Sequence, residues 1–171
     1  MEKYFVKIKS NFFRNNCTNW TEYIGKLVIE HDTRARGTMF RYYDVNDYDL
    51  FNKRHINTIF PIKPDFIWIL TIDGQGELPT HKDLGPKAVL NYYISTSPND
   101  TTTFHIPKDG IERHSYHTYE RHELNDVGSF MANEGESYLM NAQEIHSVTK
   151  TEKNKQRFFV QFSWHKNYYP K

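Results

Sequence analysis

The stretch ELPTHKDLGP sets a histidine and an aspartate two residues apart, His81 and Asp83. In a β-strand, residues i and i+2 project from the same face. His81-x-Asp83 near a strand end therefore offers an imidazole and a carboxylate side by side. Alone, the pair is also what an ordinary polar turn before Gly85-Pro86 would contain. A third donor, His146, stands far downstream in the β-like run EIHSVTK. Two imidazoles and one carboxylate make a facial set that holds a divalent metal and leaves other positions on it open. Arg157 follows, past the turn-like TEKNKQ. If the runs on either side of that turn form a hairpin, Arg157 comes beside His146 and points into the same pocket. Arginine grips a carboxylate with two parallel hydrogen bonds. Such a metal and such an arginine together suit a 2-oxo dicarboxylic acid, the metal chelating the 2-oxo acid end and the guanidinium holding the distal carboxylate.

These side chains need a rigid frame, and the chain from Phe66 onward has the texture of one. FIWILTID, KAVLNYYIST, TTTFHI, SFMANE, ESYLMN, EIHSVTK and RFFVQFSW are short runs rich in β-branched and aromatic residues, broken by Gly, Pro, Asn and Asp. Many short strands with turn signals between them predict a sandwich, jelly roll or barrel. Upstream, Lys3 to Lys9 alternates like a strand. A helix is expected from Asn19 or Trp20 through about His31, and a second, short one between Asp47 and Thr58. Arg34 to Asp49 is polar and aromatic without a clear period, and IFPIKPD reads as a connection. The expected architecture is mainly β (α+β), with N-terminal helices packed on a jelly-roll core. It is one domain over residues 1–171, with 1–65 as helical and strand support and 66–171 as the catalytic core.

Composition narrows the function. At 171 residues the chain can bury about 70% of its unfolded surface. Its hydrophobic share is only 37%, of which aromatics supply an unusual part, 16% of all residues. The core should therefore be built from Phe, Tyr and Trp. The 22 basic and 21 acidic residues nearly cancel, giving no charge argument for nucleic acid or an anionic membrane as partner. Cys17 is the single cysteine, which excludes an intrachain disulfide and a cysteine-based zinc finger. The start of the chain lacks a signal-peptide pattern, and FIWILTI is too short to span a bilayer. A soluble protein of a reducing, cytoplasmic compartment is the expectation.

PTHKD (Pro79 to Asp83) and NAQEIHSVTKTEKNKQRFFVQFSW (Asn141 to Trp164) resemble the 2-oxoglutarate- and Fe(II)-dependent oxygenases, the second segment looking like their H-S-V-x-spacer-R stretch. AVLNYYI (Ala88 to Ile94) is similar to the strand that follows H-x-D in the branches akin to the aspartyl/asparaginyl and prolyl hydroxylases. The resemblance covers about the last 100 residues, the size of a small domain. It implies a double-stranded β-helix, with His81, Asp83 and His146 as iron ligands and catalytic centre. It implies Arg157 as the partner of the 2-oxoglutarate C5 carboxylate, with assistance from Asn91 or Tyr93 and, more weakly, from Ser163, which shares the parity of Arg157. The halogenating branch lacks the carboxylate that Asp83 supplies, so hydroxylation is the implied outcome. The substrate would be a peptide side chain, an amino acid or a small metabolite, with O2 as co-substrate. The Asn-, Lys- and Tyr-rich composition fits an AT-rich genome, as in many bacteria and phages.

One further group stands between the two halves of the triad. DGIERHSYHTYERHE carries His114, Tyr116, His117 and His122, with His105 just upstream. No closed set of four ligands is evident there, so the insert from Phe104 to Glu123 is expected to be a substrate-reading lid in which His114, Tyr116 and His117 take part. Two rival readings keep the β core: a non-catalytic jelly-roll binding module, and a cupin-type metal enzyme that does not use 2-oxoglutarate. The second has no use for a buried carboxylate clamp at Arg157.

Overall fold

The computed structural model describes residues 3–9, 29–32, 40–44, 60, 62–73, 78–111, 119–149, 152 and 155–165. Eleven strands lie in these residues: β1 (Phe5–Ile8), β2 (Ile29–Asp32), β3 (Phe40–Asp44), β4 (Phe66–Asp73), β5 (Leu78–His81), β6 (Ala88–Ser95), β7 (Thr101–Pro107), β8 (Leu124–Met131), β9 (Ser137–Asn141), β10 (Ile145–Val148) and β11 (Gln156–Trp164). They form a seven-stranded sheet in the order β1-β9-β6-β11-β4-β3-β2 and a four-stranded sheet in the order β5-β10-β7-β8. Every pairing is antiparallel. The two sheets face each other as in a jelly roll. No described helix is long and apolar enough to cross a membrane.

The central strands of the large sheet are buried and apolar on both faces. From β11, Phe158, Val160, Phe162 and Trp164 turn outward with Ile67, Ile69, Leu90 and Tyr92, and Phe60 packs on them. Phe159 turns inward with Leu70, Val89, Tyr93 and Met140, and there meets Phe104, Phe130 and Val148 of the small sheet. The inner layer is as aromatic as the composition predicts: Phe130 stacks on Tyr138 with ring centres 3.9 Å apart, and Phe5 lies within 5.6 Å of Phe104.

Two expectations are corrected. The strands carrying His146 and Arg157 are not hairpin neighbours. β10 lies between β5 and β7 in the small sheet, whereas β11 lies between β6 and β4 in the large one. The reason is the two-sided apolarity of β11, which takes a central place with both edges paired and leaves no edge for β10. The chain between them crosses from one sheet to the other. The upstream third also contributes more sheet than expected. Ile29–Asp32, where the end of a helix was predicted, is strand β2, and Phe40–Asp44, without a clear period, is β3. Both extend the large sheet through β4, because unpaired backbone groups on that edge are satisfied there. The remainder of the first predicted helix, the second one, and Cys17 lie outside the described residues.

Candidate metal centre

His81 is the last residue of β5, and β10 pairs with that strand so that His146 is directly opposite it. Both side chains point to the inner face, their ring centres 4.4 Å apart. Asp83 follows on the loop leaving β5, where its backbone N–H donates to Ala142 O at 3.0 Å. Its Oδ1 lies 3.4 Å from His81 Nε2 and 3.9 Å from His146 Nε2. One donor atom from each of the three residues falls within 4.8 Å of the other two.

Each imidazole is oriented by its far nitrogen. His81 Nδ1 is 2.6 Å from Pro79 O, and His146 Nδ1 is 2.9 Å from Glu144 O. A carbonyl only accepts, so both Nδ1 atoms carry a proton, and both Nε2 atoms turn toward Asp83. Holding the outer nitrogen in this way is how metal-binding histidines are commonly fixed. Electrostatics agree. Burial, followed by the neighbouring His81, pushes the His146 pKa down to about 4, so its Nε2 is free of a proton at neutrality. Burial opposes a charge on His81, but the hydrogen bond and attraction to Asp83 outweigh it and raise its pKa. Burial also opposes ionisation of Asp83, and the two histidines outweigh it and keep the carboxyl below its ordinary range. Two imidazole nitrogens and a carboxylate oxygen, converging with tautomers already set, fit a divalent transition metal.

A cavity joins this cluster to Arg157 on the opposite sheet, walled by Leu70, Met140, Val148 and Phe159. Arg157 is 1% exposed. Its Nη2 donates to Tyr93 Oη and to Thr102 Oγ1, each at 2.9 Å. Its Cζ lies 4.9 Å from the Tyr93 ring centre and 5.6 Å from that of Phe159. Among the described residues, its Nε and Nη1 have no hydrogen-bond partner and no carboxylate pairs with it. A buried guanidinium in that condition is costly unless an anion completes it. The free Nη1–H groups offer donors to a carboxylate.

Of the other sequence candidates, Asn91 lines the cavity, buried, with Oδ1 unpartnered. Tyr93 is placed on Arg157 as described. Ser163 shares the face of Arg157 but sits at the far end of β11, outside the cavity lining, and its hydroxyl donates to Phe66 O at 3.4 Å. Phe104 to Pro107 of the predicted insert belong to β7, and Arg121–Glu123 form a 3-10 turn. His114, Tyr116 and His117 lie outside the described residues. Sequence reading missed Thr102 and Gln161, both in the cavity lining. Gln161 stands opposite Asn91 in the β11–β6 register. The alternation of TTTFHI and RFFVQFSW shows which residues share a face, but not that the two faces meet.

The fold and the site define a class: a double-stranded β-helix with two histidines on the inner face of its smaller sheet and one carboxylate on the loop beside them. Solved structures of 2-oxoglutarate Fe(II) oxygenases share this fold. HygX from Streptomyces hygroscopicus, solved with nickel, 2-oxoglutarate and hygromycin B, is similar with a TM-score of 0.63 at 13% identity, over 98% of this chain and 84% of that one. The epimerase SnoN, in complex with Fe3+, alpha-ketoglutarate and nogalamycin RO, gives 0.63 at 10%, over 95% and 78%. A prolyl hydroxylase from Trichoplax adhaerens, solved with a hypoxia inducible factor peptide fragment, gives 0.59 at 8%, over 95% and 84%. At these identities the likeness is one of fold. No protein-family model and no curated protein sequence matches the chain.

Proposed function

We propose that this chain is an Fe(II)- and 2-oxoglutarate-dependent dioxygenase that hydroxylates a peptide side chain, an amino acid or a small metabolite. The observation that carries the reading is Arg157: a buried cation, short of an anion, facing a metal-ligand triad across one cavity. Ferrous iron with 2-oxoglutarate and O2 would supply the oxidising chemistry. The chain's own residues supply place and environment. His81, Asp83 and His146 would hold the metal from one side and leave its other side to the cavity. Arg157, with Tyr93 and Thr102 on its Nη2, would meet the distal carboxylate through Nη1. Asn91, with Gln161 opposite it, is the polar group available to the rest of the co-substrate, and Ser163, outside the cavity lining, is not placed to assist. Leu70, Met140, Val148 and Phe159 keep water from the reacting end. His114, Tyr116 and His117 are carried forward as substrate-reading residues on the strength of their types and position in the chain. A reducing cytoplasm suits both the single cysteine and ferrous iron.

The test is succinate release from 2-oxoglutarate, with Fe(II), over panels of peptides, amino acids and nucleosides. Substrate-stimulated succinate that vanishes in His146→Ala supports the proposal. Metal uptake without any consumption of 2-oxoglutarate would point instead to a cupin-type enzyme, and neither metal uptake nor turnover to a binding module.

A further inference from the structure

Strand alternation means that the residues beside each histidine ligand point away from the metal, to the outer face of the small sheet. What grips that face therefore sets where the ligands stand. Three such residues are gripped, two directly by segment 119–126 and the third through His105, which Asp126 of that segment holds. Thr80, which precedes His81, donates its hydroxyl to Tyr119 O, and both residues are buried. Ile145, which precedes His146, packs in a cluster with Tyr119 and Leu124. Ser147, which follows His146, donates to His105 Nε2 at 2.8 Å, and His105 Nδ1–H donates to Asp126 Oδ1 at 2.7 Å. Arg121 Nη2 holds the other oxygen of Asp126 at 2.6 Å.

The segment is itself firmly built. Glu120 N–H donates to Glu123 Oε2 at 2.9 Å, closing the 3-10 turn, and Lys108 N–H donates to Glu123 O at 2.8 Å. The Ser147–His105–Asp126 row has the residue types of a hydrolytic triad. However, Ser147 sits mid-strand between β5 and β7, whose ladders occupy its backbone neighbourhood. It lies within a ladder, whereas the nucleophile of an acyl transfer stands on a strained turn. The row is therefore a cross-strand staple joining β8, β7 and β10 directly behind the triad.

We propose that segment 119–126 positions both histidine ligands from behind, with Thr80 and Ser147 as positioning residues, so that the geometry of the metal site and the order of this segment are coupled. The inference rests on the metal site described above and adds what governs its shape. Coupling is reciprocal: disturbing the outer-face contacts must alter the bound metal, and binding the metal must steady the segment.

Co(II) is the probe, because its visible d–d bands report ligand geometry without turnover. Thr80→Val and Ser147→Ala should each shift or weaken those bands and raise the Co(II) dissociation constant about tenfold, the usual lower range for groups behind a ligand. Thr80→Ser, which keeps the hydroxyl, should restore both. Val160→Ala, in the outer core of the large sheet, should lower Tm without changing the Co(II) spectrum, which separates positioning from general loss of stability. In the wild type, Co(II) should slow amide exchange across Tyr119 to Asp126. Wild-type spectra and affinity in Thr80→Val and Ser147→Ala would overturn the inference while leaving the site intact. A wild-type protein that takes up no Co(II) would overturn the site reading, and the inference with it.

Discussion

Arg157 concentrates the conflict between stability and function at a single side chain. Its guanidinium is buried, stacked between aromatic neighbours and hydrogen-bonded through Nη2 only. Removing a cation that lacks its anion is expected to be neutral or stabilising. Arg157→Met should therefore melt no lower than wild type without 2-oxoglutarate, by differential scanning fluorimetry, while losing the thermal upshift that 2-oxoglutarate gives the metal-loaded wild type. A clear drop in Tm of the unliganded variant would mean that Arg157 serves the core. Asp83 and the two histidines make the complementary case. His146→Ala or His81→Ala should reduce iron content by at least tenfold, measured after anaerobic loading and desalting. Full occupancy in both would remove the triad from the account. These residues could be singled out from sequence because period-two alternation assigns them a face and their chemistry is distinctive. Thr102 was not legible, because a threonine acquires this role only when β7 is brought against the Arg157 side of β11.

At the scale of elements, the loop between Asp83 and β6 shows how backbone geometry holds a ligand. Gly85 has φ of 107°, and a Cβ there would lie 2.9 Å from the ring of His165. Both features disfavour any other residue. Gln143 Nε2 braces the same loop by donating to Pro86 O at 2.7 Å and Asp83 O at 3.2 Å. Gly85→Ala should cost about 1–3 kcal/mol in urea unfolding and weaken metal binding through Asp83, whereas a polar change at the exposed Leu84 should do neither. A Gly85→Ala protein with unchanged unfolding midpoint would show that the loop adapts. Strand positions in the β core were readable because each run carries its own alternation and turn punctuation. Strand partners were not. The hairpin expected between His146 and Arg157 is instead a crossing between sheets, because pairing is decided by which strands can be buried on both faces, a property of the whole assembly. The same holds for β2 and β3, whose polar, aromatic sequences become strand only because the edge of β4 is there to receive them.

At the scale of the whole molecule, β1 is fastened to the sandwich by charge as well as by its ladder with β9. Glu136, in the turn before β9, receives Lys7 Nζ, Asn133 N and Nδ2, and the Tyr138 hydroxyl. Burial works against its charge, but these donors, Lys7 foremost, outweigh it and hold the carboxyl at about 2 instead of 4.5. Because the folded value is depressed, the stabilisation is fully present above the unfolded value near 4.5 and is lost as pH falls toward 2. Glu136→Gln should cost on the order of 2 kcal/mol near neutrality, with the gap to wild type closing through the acid limb. Unfolding curves taken from neutral to acid pH measure it, and a constant gap at every pH would assign the loss to packing.

The central claim is that the triad and Arg157 together bind one metal and one 2-oxo dicarboxylate. Its most direct test is an anaerobic titration of 2-oxoglutarate into Fe(II)-loaded protein, followed by the metal-to-ligand charge-transfer band in the visible. The account predicts a saturable band in the wild type and no band in His146→Ala. In Arg157→Lys, which keeps the charge but not the fork, the band should require at least tenfold more 2-oxoglutarate with iron content unchanged. No band in the iron-loaded wild type, or equal affinity in Arg157→Lys, would contradict it.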